Sequence, residues 1–100
     1  MKYNKLVRDK IPKYIKNKSG KPVTHIAGDA EYWERLKEKL LEEATEFNKE
    51  ESIEELADIL EVIDAISDYK KFNKREIENA KSKKAEEKGK FEKRIILDES

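Results

Sequence analysis

Acidic side chains are concentrated between Leu41 and Asp58, where the sequence reads LEEATEFNKEESIEELAD and contains eight Asp or Glu residues. Four of these acids form two pairs separated by three positions, Glu43 with Glu46 and Glu55 with Asp58. Residues i and i+3 project from one face of a helix, so each pair can present two carboxylates together. Two such pairs that faced each other would repel strongly unless cations neutralised them.

The residue types favour a hard divalent cation over zinc. The chain has no cysteine, and His25 is distant from the acids in sequence, so the ligands on offer are oxygen atoms, which suit Mg²⁺ or Mn²⁺. Mg²⁺ held by carboxylates commonly meets its substrate through phosphate oxygens. Structural roles remain open, because Glu55 completes a capping box with Ser52 and Glu42 can pair with Lys39. Spacing alone does not choose between these roles and a metal site.

Two long helices must position the acids. The first is predicted from about Ala30 to about Phe47, after an N-cap at Asp29, and the second from an N-cap at Ser52 to about Tyr69. The core stripe of the first helix consists of Trp33, Leu36, Leu40, Ala44 and Phe47. Because the polar connection is short, the helices should be antiparallel neighbours, with the end of one beside the start of the next. The two carboxylate pairs can then face each other.

The second long helix is apolar on two sides. One stripe consists of Ile53, Leu56, Leu60 and Ile63, and the other of Ile59, Val62 and Ile66. A helix with two apolar faces is central in a bundle and contacts neighbours on both sides. Together with a thin third helix, this pattern favours a homo-oligomer, a dimer or larger.

The remaining segments predict a mainly α fold, an antiparallel helical bundle formed by one domain over residues 1–100. One or two short helical turns are expected within residues 1–18, and a third helix from Lys74 to about Lys88, capped by Asn73 and ended by Gly89. The segments Val23–Ile26 and Arg94–Leu97 can pair as short strands, or the second can simply pack on the bundle.

Composition agrees with a small helical protein that has a thin core. Of 100 residues, 36% are hydrophobic and 46% are charged, yet the apolar residues recur with a helical period, unlike those of a disordered chain. No apolar run is long enough for a membrane span, and the N-terminus lacks the apolar stretch of a signal peptide. We therefore expect a cytoplasmic protein with no membrane partner.

The net charge of zero conceals three blocks of charge. Residues 1–28 have eight Lys or Arg against one acid, residues 29–68 have four against fifteen, and residues 69–100 have eleven against seven. The basic flanks can face the acidic centre, or they can bind the same polyanion as a metal held by the acids. Composition leaves both options open.

The acidic segments resemble a known family. LEEATEF followed by EELADILEVIDAI is similar to the E-E-x-x-E and E-x-x-D signature of the MazG-like all-α nucleoside triphosphate pyrophosphohydrolases. The start, YNKLVRDKIP, and the end, KGKFEKRIIL, resemble a compact branch that is phosphoribosyl-ATP pyrophosphohydrolase-like. The resemblance runs from Tyr3 to Leu97, and the two motifs in order, with similar flanks, are more specific than either motif alone.

The resemblance implies an oligomeric helical bundle that cleaves nucleoside triphosphates between the α and β phosphates, giving a monophosphate and pyrophosphate. It suggests housecleaning of aberrant nucleotides. It assigns metal binding to Glu43, Glu46, Glu55 and Asp58. Glu42 would support the site or orient water, and Glu46 would act catalytically where its carboxylate is not fully used in ligation. A bound Mg²⁺ would hold the triphosphate and lower the pKa of the attacking water.

Binding of the leaving pyrophosphate needs positive charge beyond the metal. The basic side chains predicted to bind substrate are Lys5, Arg8, Lys84 and Arg94. Arg8 is preferred because it lies in the family-like NKLVRDKIP segment and can bind phosphate in a bidentate manner; a single lysine is more simply explained as a solvated side chain.

Two other functions compete with this hypothesis. The chain can be a non-catalytic helical interaction module whose acidic face docks a basic partner. Alternatively, its basic N-terminal segment can bind nucleic acid, although it lacks a groove-reading helix signature and adjoins an acidic centre that would repel phosphate. We rank these second and third, and we do not expect nucleic acid as a partner.

Overall fold

The structure, a computed structural model, describes residues 4–100 and is helical. Its helices are α1 (Ile11–Asn17), α2 (Asp29–Lys49), α3 (Ile53–Lys70) and α4 (Lys74–Lys88). The predicted mainly α fold class is confirmed at this level. Tyr3, where the family resemblance begins, lies outside the described residues. Within the part of the chain that the structure describes, no helix is long and apolar enough to cross a membrane.

Helices α2 and α3 form the antiparallel hairpin that the short connection predicts. Only residues 50–52 join them, and the core lies along their contact. Leu36 of α2 is 1% exposed and Val62 of α3 is 8% exposed, while Ile59 and Ile66 beside Val62 are half-buried. Of the two apolar stripes of α3, the one that contains Val62 therefore packs on α2.

Aromatic side chains pack together where α2 begins and α3 ends, at the end of the hairpin opposite the connection. Trp33 of α2 stacks on Tyr69 of α3 with ring centroids 5.4 Å apart, and Tyr32 meets the same ring edge to face at 5.5 Å. The Tyr69 hydroxyl donates a 3.3 Å hydrogen bond to the carbonyl oxygen of Asp29. These contacts hold the start of α2 against the end of α3, so the two helices stay in register from the aromatic cluster to the connection.

The helix caps agree with the sequence at two starts and differ at one. The side chain of Ser52 accepts a hydrogen bond at the start of α3, and Asn73 accepts two at the start of α4. The prediction for α2 was one residue off: Gly28 is the N-cap, and Asp29 is the first helical residue. Its carboxylate still lies in the first turn, where the helix dipole favours negative charge.

The predicted pairing between Val23–Ile26 and Arg94–Leu97 is corrected by the structure. No β-strand occurs within residues 4–100, and apolar side chains of both segments are in solvent; Val23 is 98% exposed and Ile95 79%. A two-stranded pairing is marginal in water without a further strand or helix to cover it, and α4 does not supply that cover.

Helix α4 does not complete a three-helix core. All of its residues are exposed except Ala85, which is half-buried. The radius of gyration is 17.7 Å, whereas a compact domain of this length has about 13 Å. The antiparallel hairpin is thus the part of the expected bundle that is present in one chain.

The second apolar stripe of α3 is open to solvent. Its members are Ile53, Leu56, Leu60 and Ile63, with 85%, 48%, 57% and 41% of their surfaces exposed. They recur at helical spacing along about 15 Å of the helix. This exposed stripe, as we call these four side chains, lies on the same helix that carries Glu55 and Asp58.

Candidate metal centre

Three carboxylates meet where α2 ends and α3 begins. One oxygen each from Glu43, Glu55 and Asp58 lies within 4.8 Å of the others. We call these three residues the carboxylate cluster. Glu43 is buried, and the other two are half-buried. The hairpin therefore brings together three of the four acids predicted to bind metal.

The carboxylate of Glu55 is not used to cap its helix. Ser52 Oγ accepts a 3.2 Å hydrogen bond from the Glu55 backbone N–H, which is one half of a capping box. The Ser52 backbone N–H, which the Glu55 carboxylate would accept in the other half, instead donates to the Glu50 carbonyl at 2.9 Å. The side chain of Glu55 is thereby left to join the carboxylate cluster.

The electrostatics of the cluster oppose full ionisation. Burial raises the pKa of the Glu55 carboxyl above its ordinary value, and the negative charges of Asp58, Glu43, Glu50 and Glu46 raise it further. An added cation would reverse this effect, because it favours the charged form of each acid around it.

Glu46 lies outside the carboxylate cluster. Its side chain is exposed, although its charge contributes to the raised pKa of Glu55. Glu46 follows Glu43 by three positions, a rotation of about 60° on the helix, and this turns it from the α3 side towards solvent. The structure therefore separates the first predicted pair into one buried acid and one exposed acid beside the cluster.

Glu42 is held by two lysines. Lys5 Nζ donates to Glu42 Oε1 at 3.0 Å, and Lys39 Nζ donates to Oε2 at 3.2 Å. Partial burial acts to raise the pKa of Glu42, but the hydrogen bonds and positive charges of the two lysines prevail and lower it. Glu42 is thus an ionised, oriented neighbour of the cluster and not a member of it.

Basic side chains also contact the cluster itself. Lys39 Nζ lies 3.3 Å from Glu43 Oε1, and its side chain is only 16% exposed. Arg8 Nη2 donates to Asp58 Oδ1 at 2.7 Å, and Arg8 Nη1 lies 3.9 Å from Glu61 Oε1. Two of the three cluster carboxylates therefore have a cationic neighbour from the chain itself.

A cavity of about 610 Å³ adjoins the cluster. It lies between the N-terminal segment, residues 4–20, and the α2–α3 hairpin. Its apolar walls include Leu6, Ile11, Tyr14, Tyr32, Leu36 and Val62. Its charged wall includes Arg8, Lys39, Glu43, Asp58 and Glu61. The volume and the mixture of apolar and charged walls are typical of a site for a small organic ligand.

Of the predicted substrate-binding cations, only Arg8 lines the cavity. Lys5 contacts Glu42 beside the cluster, but Lys84 is on the exposed helix α4 and Arg94 is in the exposed C-terminal segment. Neither of these two lines the cavity. His25 also lies apart from the cluster, and its Nε2 is 2.9 Å from Glu31 Oε1.

The donor set fits a hard divalent ion. Glu43, Glu55 and Asp58 offer carboxylate oxygens within 4.8 Å of one another, and oxygen atoms are the ligands that Mg²⁺ and Mn²⁺ prefer. The carboxylates come from two helices whose packing fixes their separation.

The contact of Lys39 with the cluster was not predicted. The sequence analysis gave Lys39 only a pairing with Glu42. Its position four residues before Glu43, a helical contact distance, was the signal that it also faces the cluster.

In comparisons with protein-family models, curated proteins and solved structures, nothing matches this chain.

Proposed function

We propose that this protein is a Mg²⁺-dependent nucleoside triphosphate pyrophosphohydrolase of the MazG-like type, with Mn²⁺ as an alternative ion. It cleaves the bond between the α and β phosphates and releases a nucleoside monophosphate and pyrophosphate. The observation that carries the proposal is the convergence of Glu43, Glu55 and Asp58 within 4.8 Å beside a cavity of about 610 Å³.

The charge pattern around the cavity supports a phosphate-bearing substrate. Glu43 and Asp58 of the cluster line the cavity, and a divalent ion held by the cluster would attract the phosphates of a substrate. Arg8 and Lys39 line the same cavity and offer donors to phosphate oxygens, with Arg8 able to bind two at once. The apolar wall beyond them, which includes Tyr14 and Tyr32, suits the base and sugar of a nucleotide.

The bound ion would supply neutralisation of the phosphates and a lower pKa for the attacking water. The chain supplies the remaining functions. Glu43, Glu55 and Asp58 would hold the ion, and Glu46, exposed beside them, would accept the proton of the attacking water. Glu42, which accepts hydrogen bonds from Lys5 and Lys39, would keep Lys39 near the cluster. Arg8 would bind the leaving pyrophosphate.

The exposed stripe of α3 supports a homo-oligomer. Four apolar side chains in a row on α3 are unfavourable in water, and their burial against another surface would stabilise the protein. A second copy offers the same stripe, and a two-fold contact between α3 helices would pair like with like. Such a contact would also complete the helical bundle that one chain lacks, and it would stiffen the helix that holds Glu55 and Asp58.

The proposal is tested by hydrolysis of a panel of standard and modified nucleoside triphosphates in Mg²⁺. We expect at least one substrate to be cleaved, and we expect Glu43→Gln and Asp58→Asn each to abolish that cleavage. The matched control is Glu54→Gln, which changes an exposed acid in the first turn of the same helix. Absence of turnover across the panel, with no metal binding in a calorimetric titration, would contradict the proposal.

A further inference from the structure

Lys39 is half-buried against an acid of the carboxylate cluster. Its Nζ lies 3.3 Å from Glu43 Oε1 and 3.2 Å from Glu42 Oε2, and only 16% of its side chain is exposed. Glu43 itself is buried. A buried ionised carboxylate is costly unless a cation or several donors compensate for it. Lys39 is therefore the cation that compensates Glu43.

We propose that Lys39 occupies the cation position at Glu43 until a divalent ion binds, and that its ammonium group then transfers to phosphate oxygens of the substrate. This inference rests on the proposed function and specifies how Lys39 takes part in it. Lys39 would act as a positioning and substrate-binding residue, and the exchange would couple metal binding to the creation of a phosphate site.

The geometry allows the exchange. Lys39 lines the same cavity as Glu43 and Asp58, so its ammonium group can leave Glu43 and remain at the wall where a triphosphate would lie. The lysine stem has four flexible carbon atoms, and the ammonium group is a compact point charge that can bind phosphate from several directions. A second contact, to Glu42, keeps the ammonium group near the cluster after Glu43 is taken by the ion.

Electrostatics favours this movement. An ammonium group and a divalent ion on the same carboxylate repel each other at short distance, most strongly in a partly buried site. With a divalent ion held by the cluster acids, the ammonium group would be more stable against the phosphate oxygens of the incoming polyanion. Each cation then has an anionic partner.

Lys37 is a matched control on the same helix. Its Nζ pairs with Glu34 at 2.9 Å, its side chain is 48% exposed, and it does not line the cavity. Replacement of either lysine removes one positive charge from α2, so both replacements have similar long-range effects on the electrostatic field at the cluster. Only replacement of Lys39 removes a cation from the cluster.

The test is calorimetric titration of the full chain with Mn²⁺. Loss of the competing ammonium group in Lys39→Gln should tighten Mn²⁺ binding by about tenfold, given the strength of a charge interaction at this distance. Lys37→Gln should bind as the wild type does. Lys39→Arg keeps the charge and should retain wild-type affinity, which separates the charge effect from a packing effect. Circular dichroism verifies that each variant is folded, and Lys39→Met provides a second neutral variant if Lys39→Gln is not.

The second half of the proposal is tested with Mg²⁺-tripolyphosphate, a probe without base or sugar. Binding to the Mg²⁺-loaded protein should weaken about tenfold in Lys39→Gln and remain unchanged in Lys37→Gln. Equal Mn²⁺ affinity in wild type and Lys39→Gln, or unchanged tripolyphosphate binding, would overturn the exchange and leave the proposed hydrolase standing. No Mn²⁺ binding by wild type or by Lys39→Gln would overturn both.

Discussion

Arg8 and Asp58 form a 2.7 Å ion pair that joins the N-terminal segment to α3 across 50 positions of sequence. Both residues line the cavity, and the contact brings a guanidinium group to an acid of the carboxylate cluster. Both side chains remain more than one third exposed, so the pair is partly screened by solvent. Under the proposed function, the main role of this pair is to keep the Arg8 guanidinium group, which would bind phosphate, beside the acids that would bind the metal.

Replacement of Arg8 should therefore affect activity more than stability. We expect Arg8→Gln to lower kcat/KM by about tenfold to a hundredfold, because hydrogen bonds to charged groups contribute about 1.5–3 kcal/mol. The free energy of unfolding should change by less than about 1 kcal/mol, as for other exposed ion pairs. Steady-state assays of pyrophosphate release give kcat/KM, and urea unfolding gives the free energy of unfolding. Arg75→Gln on the exposed helix α4 is the control, and an equal loss of activity there would contradict a specific role for Arg8.

The thin core makes one leucine decisive for folding. Leu36 is 1% exposed, so Leu36→Ala should lower the free energy of unfolding by about 2–5 kcal/mol through lost burial and a cavity. Leu41 on the same helix is 71% exposed. Leu41→Ala should therefore change the free energy of unfolding by no more than about 0.5 kcal/mol. Urea unfolding monitored by circular dichroism compares the two. Similar losses in both variants would mean that the core lies elsewhere.

The fold was predictable to the extent that it depends on helical periodicity and capping. Ser52 and Asn73 marked two helix starts correctly because each has a side-chain oxygen that accepts from the first turn. The helical periodicity also predicted both apolar stripes of α3, but periodicity does not indicate which neighbour packs on a stripe. It therefore did not distinguish the stripe that packs on α2 from the one that remains exposed.

Burial of Glu55 and charge repulsion within the cluster should be visible in the pH dependence of stability. The pKa of Glu55 in the folded protein is raised above its ordinary value of 4.5. Protonation of Glu55 thus favours the folded state, and this stabilisation is complete below the unfolded pKa and is lost as the pH rises through the folded pKa. With a chelator present, Glu55→Gln should raise Tm at pH 7, and the gain should shrink as the pH falls towards 4.

Glu54→Gln is the control for this effect. Glu54 is an exposed acid in the first turn of α3, so loss of its charge removes a favourable interaction with the helix dipole and should not raise Tm. Melting curves at a series of pH values compare the variants. A Tm for Glu55→Gln at or below that of the wild type at pH 7 would argue against repulsion in the cluster.

The exposed stripe predicts a self-associating protein. Sedimentation equilibrium of the wild type should show a dimer or larger species, and Leu60→Glu should shift it towards the monomer, because a charge at the centre of an apolar contact is costly to bury. Leu97→Glu, in the exposed C-terminal segment, makes the same chemical change and should leave the assembly intact. A monomeric wild type at all measurable concentrations would contradict the proposed contact.

The candidate site was partly predictable for similar reasons. Spacing on two antiparallel helices identified Glu43, Glu55 and Asp58, since their convergence depends on helical geometry and a short connection. It did not separate Glu46 from them, because a rotation of about 60° between i and i+3 decides which of two acids faces the neighbouring helix. The cavity could not be foreseen, because it depends on how the N-terminal segment packs over the hairpin.

The identity of the phosphate product tests the central claim most directly. After incubation of each nucleoside triphosphate with the protein and Mg²⁺, ³¹P NMR resolves pyrophosphate from orthophosphate and the monophosphate from the diphosphate. The proposed function predicts equal amounts of pyrophosphate and monophosphate from at least one substrate, with neither formed by Asp58→Asn. Release of orthophosphate and diphosphate by the wild type would contradict cleavage between the α and β phosphates.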